Sequence, residues 1–103
     1  MGELEHIITH KTKNLLKEYR KRLRPAFYFQ KTSDRYTSGI PDFYILYRGF
    51  SAHIELKREG EDAGVLQSHV LYSLQRAGAR ILCTDDFKEV RDFLKALTAE
   101  RSQ

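Results

Sequence analysis

The chain has 103 residues, 41% of them hydrophobic, with 18 Lys+Arg against 14 Asp+Glu and a formal net charge of +4. This length suits one domain, residues 1–103, and leaves no room for a second core. The one cysteine, Cys83, excludes an intrachain disulfide framework and a cysteine-based zinc site and points to a reducing, cytoplasmic setting; no apolar run approaches the roughly 20 residues that cross a bilayer, and the acidic start of the chain is unlike a signal peptide.

The spacing of Leu4, Ile8, Leu15 and Tyr19 predicts a helix from residue 3 to about 22 with one apolar stripe. Pro25 ends it, because proline disfavours helical geometry in the residue before it. Between Lys11 and Arg24 stand Lys11, Lys13, Lys17, Arg20, Lys21, Arg22 and Arg24 against Glu18 alone. Such a cluster suits a polyanion, though a solvated helix face has the same composition. Residues 26–30, with Phe27, Tyr28 and Phe29, are strand-like. Residues 32–39 are polar and rich in turn formers, which predicts a loop. In it Arg35 and Tyr36, with Lys31 just before, form a candidate DNA-contacting set.

Residues 42–47 (DFYILY) form a buried-strand run, and Arg48-Gly49-Phe50 is the turn of a predicted hairpin. Residues 51–57 then alternate: Ala52, Ile54 and Leu56 on one face, His53, Glu55 and Lys57 on the other. A polar connection (59–64) leads to a helix over 65–77, with Leu66, Val70, Leu71 and Leu74 on one face and Gly78 at its C-cap. A short strand (79–83) and a last helix through Leu97, capped by Thr84 or Asp85, complete the chain. Val90, Phe93, Leu94 and Leu97 face inward. The order α-β-β-β-α-β-α implies an α/β fold with a mixed sheet flanked by helices.

Gly39-Ile40-Pro41-Asp42 is followed, after twelve residues, by Glu55-Leu56-Lys57. On the paired strands of a hairpin Asp42 comes close to Glu55. Two adjacent carboxylates repel unless a proton or a cation intervenes. A hard divalent ion with oxygen ligands relieves the repulsion, and Mg2+ needs few protein ligands. Lys57, on the same strand face, can orient a nucleophile or offset charge growing on a phosphate. The chemistry this suits is phosphodiester hydrolysis by metal-activated water. Singly, E-x-K also describes a cross-strand salt bridge and P-D a turn; their combination across a hairpin is the specific feature.

The run SGIPDFYILYRGFSAHIELKREG, followed by Gln67 and Gly78, resembles the virus-type replication-repair nuclease (VRR-NUC) domain of the PD-(D/E)XK superfamily, over nearly the whole chain. The resemblance implies a restriction-endonuclease-like αβββαβα core. It implies Asp42, Glu55 and the main-chain carbonyl of Leu56 as ligands of Mg2+ or Mn2+, Lys57 as a catalytic residue, and Gln67 near the centre. A first-helix glutamate near the metal would be Glu5 or Glu3; the helical wheel favours Glu5. Small stand-alone members of that family act as homodimers on branched DNA such as four-way (Holliday) junctions, and a free-standing domain this small suits a phage or a bacterium. The activity expected is thus that of a metal-dependent deoxyribonuclease, with Lys11, Lys13, Lys17, Lys31, Arg35 and Tyr36 touching DNA. Two alternatives are an inert nucleic-acid-binding module and a sequence-reading restriction-type endonuclease, for which the chain is short.

His6 and His10 lie four apart on the first helix but lack the further ligands that zinc requires. His53 shares the strand face of Glu55 and Lys57, where it either shapes the site or simply sits in the sheet. Cys83 ends an apolar strand and reads as core.

Overall fold

The computed structural model describes residues 5–32, 41–57 and 65–99. Its elements run α1 (Glu5–Leu23), β1 (Phe27–Lys31), β2 (Phe43–Tyr47), β3 (Phe50–Leu56), α2 (Val65–Arg76), β4 (Arg80–Thr84) and α3 (Phe87–Ala99). This is the predicted order. The four strands lie in the order β1-β2-β3-β4. β1–β2 and β2–β3 are antiparallel, and β4 joins β3 in parallel across the α2 crossover. The sheet is therefore mixed, as a hairpin followed by a strand-helix-strand unit requires.

Alternation along the strands divides the sheet into two faces. Phe27, Phe29, Phe43, Ile45, Tyr47, Ala52, Ile54 and Leu56 are buried on one face, where Ile8, Leu16 and Tyr19 of α1 and Val90, Leu94 and Leu97 of α3 cover them. Tyr19, Phe27 and Tyr47 form an aromatic column within this core, with centroids 5.7 and 6.1 Å apart.

The buried line of α1 is rotated from the predicted one. Ile8, Thr12, Leu16 and Tyr19 are buried, whereas Leu15 is only half-buried. The rotation follows from Thr12, a polar residue that an apolar count passes over. Leu4 lies outside the described residues, as do the loop 33–39 and the connection 59–64.

The hairpin turn is tighter than predicted. Tyr47 pairs with Phe50, so the loop is Arg48-Gly49 alone and Phe50 belongs to β3. Both loop residues have positive φ, 47° and 88°, as a two-residue turn matching the strand twist demands. Gly78 closes α2 as expected: the Ala79 N–H donates to the Leu74 carbonyl at 2.9 Å and the Gly78 N–H to the Gln75 carbonyl at 3.0 Å, the Schellman pattern.

The cap of α3 is neither Thr84 nor Asp85. Asp86 Oδ1 accepts the Lys88 N–H at 2.9 Å, so Asp86 is the N-cap residue. Thr84 stands behind it: its hydroxyl donates to Glu89 Oε1 and accepts the Asp86 N–H.

α2 departs most from expectation. Val70, Leu71 and Leu74 are half-buried and stand outside the main core, because α2 packs against β4 rather than against α1 and α3. Phe93 is likewise half-buried at the core's edge. Cys83 is half-buried.

Candidate active site

β2 begins immediately after Asp42, and its start is fixed from both sides. On the β1 side, the Thr32 N–H donates to the Asp42 carbonyl at 2.8 Å, and the Thr32 hydroxyl donates to the Pro41 carbonyl at 2.6 Å. Pro41 is buried there. On the β3 side, the Leu56 N–H donates to Asp42 Oδ2 at 2.8 Å. The register pairs Phe43 with Ile54, so one further step sets Asp42 across from Glu55.

Strand alternation assigns Asp42, Tyr44, His53, Glu55 and Lys57 to the face opposite the main core. Asp42, Glu55 and Lys57 are all half-buried, and Glu55 Oε1 is shut off from solvent. The Lys57 N–H donates to the Thr84 carbonyl at 2.9 Å. β3 is thus gripped by β4 through Lys57 and by Asp42 through Leu56. The register thus sets across from each other two carboxylate residues that the sequence separates by twelve residues.

The donors here are oxygens: two carboxylates and the Leu56 carbonyl, which leaves an extended strand on the same side as the N–H that reaches Asp42. Such a set fits a hard divalent cation, because Mg2+ takes one or two carboxylates and fills its shell with water and substrate oxygens. Among the described residues no group of three His, Cys, Asp or Glu side chains could hold a metal.

His53 pairs with Tyr44 and lies 5.1 Å from its ring. Its Nδ1 is buried without a hydrogen-bond partner among the described residues. Burial pushes its pKa down from the ordinary value of 6.5, because a low-dielectric setting disfavours the imidazolium. Tyr28 continues the row at 6.4 Å from Tyr44.

Asp42 also borders a cleft of about 410 Å3 whose other walls are His6, Thr9, His10, Lys13 and Lys31. Two of the six expected DNA contacts, Lys13 and Lys31, thus line the same space as Asp42. Lys17 is exposed one turn beyond Lys13 on α1. Lys11 faces another way, its Nζ 5.6 Å over the Phe87 ring. Part of the basic cluster likewise covers aromatic rings: Arg20 stands over Phe29 at 4.7 Å and Arg22 over Tyr19 at 4.6 Å. Arg35 and Tyr36 lie outside the described residues, as does Glu3. Glu5 opens α1 one turn before Thr9, and Gln67 is the third residue of α2.

His6, Thr9 and His10 were not singled out as neighbours of Asp42. Their spacing with Lys13 (i, i+3, i+4, i+7) marks one helical face, but only the packing of α1 beside the start of β2 shows what that face meets.

Neither a family model nor a curated protein sequence matches the chain. A solved structure described as a VRR_NUC domain matches 85% of this chain and 95% of its own, with a TM-score of 0.64 and 23% sequence identity. The chain therefore has the fold of a VRR_NUC domain, a restriction-endonuclease-like α/β fold.

Proposed function

We propose that this chain is a metal-dependent DNA endonuclease. The observation that carries the reading is the Asp42 carboxylate held by the Leu56 N–H, between Glu55 and Lys57. The likeness to a VRR_NUC domain supports it.

Asp42, Glu55 and the Leu56 carbonyl would hold Mg2+ or Mn2+. When bound, such a cation supplies Lewis acidity, drawing charge from a phosphoryl oxygen and making water more acidic. The protein's own groups do the rest. The bond from Leu56 fixes the Asp42 carboxylate, so its position needs no reorganisation when substrate arrives. Lys57, two residues beyond Glu55, sets an ammonium beside the phosphate and offsets the negative charge that builds there. Gln67, near the start of α2, would be a further catalytic residue, and Glu5, at the start of α1, a further residue at the metal. Lys13, Lys17 and Lys31 on one side of the centre, with Arg35 and Tyr36, would receive the DNA backbone; Lys11, turned over the Phe87 ring, is left out of that set.

Branched DNA, such as a four-way junction, is the proposed substrate. A homodimer would present two centres to two strands, as symmetric cutting requires. α2 supplies a surface for that contact, with a half-buried apolar face and Tyr72 62% exposed. Among the described residues no helix is long and apolar enough to cross a membrane.

The test is cleavage of labelled four-way junction, flap and linear duplex DNA in Mg2+, Mn2+ or EDTA, with Lys57→Ala beside the wild type. Cutting of one branched form that needs both metal and Lys57 supports the reading. Intact binding without cutting of any form leaves a nucleic-acid-binding module. Fixed cuts in linear duplex indicate a restriction-type enzyme. A protein that stays monomeric at micromolar concentration, with and without DNA, excludes the two-centre version.

A further inference from the structure

The cleft beside Asp42 is walled chiefly by hydrogen-bond donors. His6, Thr9, His10 and Lys13 come from one face of α1, and Lys31 from the end of β1. Among the described residues that line it, two lysines, Lys13 and Lys31, stand against one carboxylate residue, Asp42; Lys31 Nζ also lies 5.8 Å over the Phe43 ring. The Asn14 side-chain Nδ2 lies 3.2 Å from His10 Nε2. With two lysines and two histidines against one carboxylate residue, the described wall suits an anion.

We infer that this cleft is a phosphate subsite, in which His6, His10, Lys13 and Lys31 hold a backbone phosphate of the nucleic acid next to the one at the Asp42–Glu55 centre. The inference rests on the nuclease reading for the class of polymer and deepens it by giving the strand a path. The backbone passes over the first turns of α1 before it reaches the carboxylates. A cleft of about 410 Å3 accommodates a phosphodiester with part of its sugars. Charge-assisted hydrogen bonds from lysine and imidazole are the contacts that fix backbone position.

The experiment reads binding in EDTA, so hydrolysis plays no part in it. A labelled four-way junction carries one neutral methylphosphonate, placed in turn at each successive position around the branch point. Dissociation constants are measured for the wild type, His10→Ala/Lys13→Ala, Lys31→Met and, as a surface control, Lys88→Ala. All the changed positions are exposed, and circular dichroism verifies folding. One methylphosphonate position should weaken the wild type and Lys88→Ala about tenfold, the size of a lost charge-assisted contact. The double variant should bind about tenfold more weakly from the start and lose nothing further at that position, since the partners of one contact are not additive. Lys31→Met should show the same non-additivity. Penalties that simply add at every position, or unchanged affinity in the folded variants, overturn the subsite. Failure to cut in Mg2+ while the non-additivity holds counts against the nuclease alone. Failure of the wild type to bind DNA overturns both.

Discussion

The Leu56 N–H donates to Asp42 Oδ2 at 2.8 Å, joining the start of β2 to the end of β3 through a side chain rather than a backbone ladder. This bond gives Asp42 two separable roles. Its negative charge serves the chemistry, and its oxygen satisfies a donor on a residue 1% exposed. Asp42→Asn keeps an oxygen acceptor and removes the charge, whereas Asp42→Ala removes both. Asp42→Asn should lower the cleavage rate by on the order of 10²-fold or more while leaving the urea midpoint near the wild-type value. Asp42→Ala should lose the same activity and in addition about 1–3 kcal/mol of stability, the penalty for an unsatisfied buried donor. Equal urea midpoints for the two variants would show that the bond carries no stability.

Glu55 and Lys57 flank the residue that clasps Asp42, and their contributions separate by metal response. Glu55→Gln removes a ligand charge, so the rise in melting temperature that millimolar Mg2+ or Mn2+ gives the wild type should shrink or vanish. A ligand stabilises only the state that binds it. Lys57→Ala should keep that rise and still lose about 10²-fold in rate, because its ammonium acts on the phosphate. EDTA should abolish wild-type cutting and the thermal shift together. A full metal shift in Glu55→Gln, measured by differential scanning fluorimetry, would remove Glu55 from the metal site.

How far the centre was legible in the sequence depends on geometry. The nearness of Asp42 to Glu55 and the shared face of Glu55 and Lys57 could be read because strand side chains alternate with period 2 and a short hairpin turn leaves little freedom in register, although the turn is one residue shorter than predicted. The cleft beyond Asp42 could not. A wheel shows that His6, His10 and Lys13 share a side of α1, but not that this side meets Lys31 and Asp42. The inward line of α1 was misplaced at Thr12 and Leu16 for a related reason: periodicity counts apolar residues, and here a threonine occupies the centre of the buried face. The half-burial of Val70, Leu71 and Leu74 was hidden too, since an apolar stripe looks the same whether or not a second layer covers it.

Thr12 is fully buried, and its Oγ1 has no hydrogen-bond partner among the described residues. Burying an unpaired hydroxyl is unfavourable by about 1–3 kcal/mol. Valine has nearly the same shape without the hydroxyl. Thr12→Val should therefore raise stability by about 1 kcal/mol in urea denaturation. A loss of stability would mean that the hydroxyl has a partner, and Thr12 would become a candidate for the site one turn after Thr9.

Gly78 isolates backbone strain from crowding. Its φ is +106°, and a Cβ added there would meet nothing within 4 Å. Gly78→Ala therefore clashes with no neighbour and still forces alanine into a region that L-residues avoid, which is unfavourable by roughly 1–2 kcal/mol. The strain falls on the two bonds that close α2, from Ala79 to Leu74 and from Gly78 to Gln75. Gly78→Ala should lower stability by that amount, and amide hydrogen exchange should quicken first at the C-terminal turn of α2. An unchanged urea midpoint would show that the turn relaxes to negative φ at no cost and that the α2–β4 connection does not depend on the Schellman closure.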